Sequence, residues 1–159
     1  MINQFHTLSQ EEKDLMVDST ALITVLIAGA DGDIDNEEKE WAAKLTKIRS
    51  YNTPEEWQEY YKLVGENYAA KLDALIASLP NDTDARNTVI SERLTKMNDI
   101  LPKLGPVHAY SFYQGMLTFA EHVAKASGGF LRMGAISRDE KKWIGLPMIT
   151  PIDEPEEEA

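Results

Sequence analysis

The stretch from Ala28 to Glu38, AGADGDIDNEE, sets Asp31, Asp33 and Asp35 on alternate positions around Gly32 and follows them with Glu38. Carboxylate oxygens at that spacing suit a hard divalent cation. A calcium loop takes oxygens from positions 1, 3, 5, 7, 9 and 12 and keeps glycine at 6 for a sharp turn. With Gly32 at position 6, Asp31 stands at 5, Asp33 at 7, Asp35 at 9 and Glu38 at 12. Positions 1 and 3 then fall on Ile27 and Gly29, which carry no side-chain oxygen. The back half of a cation loop is present, and any further oxygens must come from elsewhere in the fold.

A purely structural account covers part of this stretch. Gly32 serves a left-handed turn, Asp35 caps the next helix and Glu38 returns the capping bond. Asp31 and Asp33 remain, at the end of a helix whose dipole is negative there, where carboxylates are unfavourable without a cation or a basic side chain. Spacing alone points to no such lysine or arginine.

The elements that must position this turn are helices. Small polar residues followed three positions later by glutamate mark four capping boxes, at Ser9 and Glu12, Asp35 and Glu38, Thr53 and Glu56, and Ser137 and Glu140. Asn81-Asp82 after Pro80 and Pro106 after Gly105 open two more. Helices are expected over roughly 10–30, 36–50, 54–79, 83–104, 106–127 and 138–145, without strand alternation. Trp57, Tyr60, Tyr61, Val64, Tyr68, Leu72, Leu75, Ile76 and Leu79 form one apolar stripe, and Ile90, Leu94, Met97, Leu101 and Leu104 form the next. Ala21 to Ala30 and Ala109 to Ala124 are apolar around most of the helix, as centrally buried helices are.

Gly32 to Trp41 aligns without gaps on Gly134 to Trp143, sharing glycine, isoleucine, the capping pair, lysine and tryptophan. Each copy follows an apolar helix. The expected architecture is therefore an all-α, compact bundle of about six to seven helices with two pseudo-repeated halves. Residues 1–146 make the domain, and 147–159, rich in proline and glutamate, make an acidic solvated tail.

Other chemistry is sparse. His6, His108 and His122 are far apart, and Glu121 is adjacent to His122 where a di-iron helix needs Glu and His three apart. Glu121 lies near the end of the fifth helix and is a further candidate ligand through the pseudo-repeat. Ser111 and Ser127 lack a base or a nucleophile elbow, and no phosphate-binding glycine loop occurs, which argues against an enzyme. The formal net charge of −11 excludes the basic stripe that nucleic acid requires, and the chain has no cysteine for disulfides or thiolate metal sites. No apolar run reaches membrane-spanning length and the first residues do not read as a signal peptide, so a cytoplasmic protein without stable membrane insertion is expected.

The buried helix ending in Ala28-Gly29-Ala30-Asp31-Gly32-Asp33-Ile34, with Glu38 after it and the echo from Gly134 to Glu140, resembles the tellurite-resistance TerB-like family across roughly residues 8 to 146. The resemblance implies a small helical cytoplasmic domain associated with tellurite and other stress, with acidic residues for divalent metal at Asp31, Asp33 and Glu38. In the second copy Glu140 is kept, while Met133 and Ala135 replace the two aspartates. The expected function is a non-enzymatic module for calcium, magnesium or manganese, without an organic cofactor, using Asp31, Asp33, Asp35 and Glu38 with Glu140 and Glu121 as further candidates. The alternative is a metal-free helical adaptor for an unidentified protein partner. Neither oligomeric state nor partner follows from the sequence.

Overall fold

The first helix begins at its capping box. Ser9 Oγ accepts from the Glu12 backbone N–H at 3.1 Å, and Glu12 Oε1 accepts from the Ser9 N–H at 2.9 Å. These bonds satisfy donors that a helix start leaves open. Glu12 also holds Lys103 at 2.8 Å, tying the start of the helix to a distant turn.

In the computed structural model, residues 2–30, 32, 34, 36–126 and 138–156 are described, without the side chains of 138–140. All their regular structure is helical: α1 (Gln10–Ala28), α2 (Asn36–Asn52), α3 (Glu55–Gly65), α4 (Tyr68–Ser78), α5 (Thr83–Thr95), α6 (Met97–Ile100), α7 (Pro106–Ala126) and α8 (Arg138–Trp143). Short 3-10 turns cover Asn3–Thr7 and Leu101–Leu104. The protein is an all-α helical bundle. Among the described residues no helix is long and apolar enough to cross a membrane.

α1 is the central element, and the chain is buried without interruption from Ser19 through the end of α1 to Ala30. Its buried Ser19, Thr20 and Thr24 are polar, and two tyrosines meet that face. Tyr60 from α3 donates to the Met16 carbonyl, and the Tyr68 hydroxyl from α4 lies 2.7 Å from Thr24 Oγ1. Burial pushes both phenols well above their ordinary pKa, so they stay neutral donors. Arg49 gathers α2, α3 and α7: its guanidinium donates to the Tyr61 hydroxyl at 3.0 Å, the Gly115 carbonyl at 2.9 Å and Thr118 Oγ1 at 2.9 Å.

The structure differs from the sequence expectation in several places. The helix expected over 54–79 is broken at Glu66-Asn67, where Asn67 takes a left-handed φ of 51°. Asparagine tolerates that conformation, and the four-residue step from Val64 to Tyr68 carries the apolar stripe across the break. The helix expected over 83–104 divides into α5, α6 and a 3-10 turn, with Pro102 in the first positions of the turn. Thr53 does not cap α3: its hydroxyl donates to the Arg49 carbonyl at 2.6 Å, and Pro54 takes the N-cap position. α7 is one-sided and not centrally buried, because Ser111, Thr118, Glu121 and His122 face solvent while Phe112, Met116, Phe119 and Val123 face the core.

The solvated tail expected from residue 147 on does not begin there: apolar side chains and two hydrogen bonds from Asn98 hold the segment after α8 to the body as far as Ile152. Leu146 and Ile149 are buried and Ile152 packs on the core. Asn98 grips this strap from both sides, donating to the Met148 carbonyl at 3.0 Å and accepting from the Thr150 N–H at 2.8 Å. Asn98→Ala removes both bonds and should lower stability by about 1–3 kcal/mol. A denaturation midpoint equal to the parent's would show that the strap is held by Leu146 and Ile149 alone.

Candidate functional site

The turn after α1 is built around one carbonyl. Gly29 closes the helix, its N–H donating to the Val25 carbonyl at 2.9 Å. Its own carbonyl oxygen then accepts twice, from the Gly32 N–H at 3.0 Å and from Arg86 Nη2 at 2.6 Å. Gly32 has a φ of 103°, which side-chain-bearing residues rarely adopt, and is the left-handed glycine the spacing requires. α2 follows with Glu38 in its first turn, only 1% exposed.

Arg86 comes from the first turn of α5. That helix starts at Asp82, whose carboxylate accepts from the Ala85 N–H at 2.9 Å. The capped end brings Thr83 and Arg86 against the acidic turn: a Cβ on Gly32 would meet Thr83 Oγ1 at 3.2 Å, and one on Gly29 would meet Arg86 Nη2 at 2.5 Å. The negative end of α1 thus faces a guanidinium and the positive end of α5. Arg86 is 5% exposed, and among the described residues its Nε has no hydrogen-bond partner. The neighbouring Asn87 is also 5% exposed, and its Oδ1 likewise has no partner among the described residues.

The six candidate ligands fare differently. Asp31, Asp33 and Asp35 lie outside the described residues, as does the side chain of Glu140. Glu38 is buried next to the turn in sequence. Glu121 is exposed, and Lys125 one helical turn on binds it at 2.7 Å. That hydrogen bond holds the Glu121 carboxyl below the usual carboxylate range. Among the described residues no three or more His, Cys, Asp or Glu side chains come together as a metal group. His108 faces Glu56 at 3.2 Å and meets the Trp57 ring nearly at right angles.

Arg86 is the site residue that the sequence reading missed. The signal was the α5 stripe: stepping back by four from Leu94 and Ile90 lands on Arg86, a charged residue on the buried face. Compared with family models, curated proteins and solved structures, the chain gives no significant match.

Proposed function

We propose that this protein is a TerB-like, non-enzymatic cytoplasmic module that takes up a divalent cation at the turn between α1 and α2 in a stress response. The stress association rests on the resemblance of the turn alone. The carrying observation is the left-handed Gly32, φ 103°, followed six residues later by a glutamate only 1% exposed. Those are the glycine and the terminal glutamate of a calcium loop's back half. Asp31, Asp33, Asp35 and Glu38 would hold the ion. A donor set made only of oxygens fits calcium, magnesium or manganese better than zinc.

The test is a melting series on protein stripped with chelator, then given calcium, magnesium, manganese or zinc. Stabilisation should grow with the logarithm of ion concentration above Kd for at least one oxygen-preferring ion. A melting temperature indifferent to all four ions would leave the second reading, a metal-free helical adaptor for another protein. Arg86 favours that reading, because its hydrogen bond to Gly29 already compensates the α1 terminus.

A further inference from the structure

We propose that Arg49 makes the cleft among α2, α3 and α7 a binding site for a small organic carboxylate with a flat apolar body. The cleft measures about 450 Å³, within the range of small-molecule pockets. Arg49 lines it near the C-terminal end of α2, together with Trp57, Tyr61 and Phe112 and the partly exposed Tyr110 and Gln114. The Trp57 and Phe112 rings stand 5.8 Å apart at a tilt of 33° and form an aromatic wall.

The fold uses only part of this guanidinium. Its hydrogen bonds all go to neutral oxygens, from Nη1 to the Tyr61 hydroxyl and the Gly115 carbonyl and from Nη2 to Thr118 Oγ1. The last two acceptors lie 3.2 Å from each other, so they take the end of the fork, one under each Nη. A guanidinium has more donors than these bonds consume: Nε–H and the outer Nη2–H remain, side by side on one edge, without an acceptor among the described residues. A carboxylate accepts such a pair bidentately. No carboxylate of the described residues forms an ion pair with Arg49, although the chain carries 27 acids against 16 lysines and arginines. Glu56, the one acid among the described residues that line the cleft, faces His108 at 3.2 Å instead.

The arginine is in place before any ligand arrives. Its Cζ lies 5.5 Å from the Tyr61 ring centroid and 5.4 Å from that of Phe119. Gly115 lets the α7 backbone come close, since a Cβ there would stand 3.2 Å from the Tyr61 hydroxyl. Little further ordering is needed on binding, which favours affinity. Arg49 is also the one cation among the described residues lining the cleft, which suits a single negative charge better than a phosphate dianion.

The experiment titrates sodium benzoate, benzamide and phenyl phosphate into the full chain at constant ionic strength, followed by NMR at the Trp57 indole N–H and the Gly115 and Thr118 amides. Benzoate should give saturable shifts there, and benzamide, the same ring without the charge, should bind at least about tenfold more weakly. Arg49→Lys keeps the charge, loses the bidentate edge and should weaken benzoate binding at least about tenfold. Ser111→Phe puts a ring into the cleft from an exposed position of α7, leaves the partners of Arg49 in place and should abolish binding. If Arg49→Lys does not fold, Ser111→Phe and the benzamide comparison decide. Benzoate without saturable shifts, benzamide binding as well as benzoate, or unchanged binding by Ser111→Phe or a folded Arg49→Lys overturns the inference. Phenyl phosphate binding more tightly than benzoate overturns the assignment to a carboxylate.

Discussion

Replacing Phe119 by alanine should lower stability by about 3–5 kcal/mol, the range for deleting a buried aromatic ring from a core that collapses only partly. Phe119 is 0% exposed on the inward face of α7, the helix that packs on both α1 and α2. Its ring also carries the Arg49 guanidinium, whose central carbon lies 5.4 Å from the ring centroid. The substitution therefore leaves a void and removes the apolar side of an arginine that links three helices. At this chain length the loss corresponds to a fall in melting temperature of roughly 6–20 °C. Val107, 60% exposed on the same helix, provides the contrast: Val107→Ala should stay within about 0.5 kcal/mol of the parent. Melting curves followed by circular dichroism measure both. A Phe119→Ala protein as stable as Val107→Ala would show that α7 is not packed through this ring.

The helices were legible because burial writes a periodic signal. Every residue of the stripe from Ile90 through Leu94, Met97 and Leu101 to Leu104 is buried. The same periodicity hid the break between α3 and α4, since a turn that preserves a four-residue step leaves the stripe unchanged. It also overstated α7: Ala109, Ala120 and Ala124 are small enough to look apolar anywhere on a helix, and only their exposed neighbours Ser111, Thr118 and Glu121 show the solvent side. Local hydrogen-bond patterns carried further than composition. The box at Ser9 forms as spelled, but the one at Thr53 loses to a competing bond back to Arg49, which a hydroxyl makes readily near a helix end.

At the site, the backbone was legible and the charge balance was not. Gly32 announces its left-handed turn through its residue type. Arg86 meets Gly29 across 57 residues of sequence, and no local rule pairs an arginine with a distant carbonyl. The stripe position of Arg86 shows that it is buried but not what it faces. The acidic turn alone suggests a search for an external cation, whereas the fold supplies one internally and leaves open how much negative charge remains for another.

Asp33→Asn measures that remainder, and its largest expected effect is loss of the metal response. At an ion concentration of about 100 times Kd, the parent should gain roughly 2.7 kcal/mol from the bound cation. Asp33→Asn keeps the shape of the side chain, deletes one charged ligand and spares Asp35 and Glu38 at the start of α2, so most of that gain should vanish. The sign in chelator discriminates further. In sequence Asp33 lies among Asp31, Asp35 and Glu38, just past the negative end of α1, where like charges and the helix dipole disfavour a carboxylate. Removing one of these charges should relieve that repulsion. The metal-free variant should then melt at or above the parent, by up to about 1 kcal/mol. If Asp33 were instead a dedicated partner of a basic side chain, the variant would melt lower with and without ion and keep the parent's response to calcium or manganese. That pair of results would make the aspartates around Gly32 part of the scaffold.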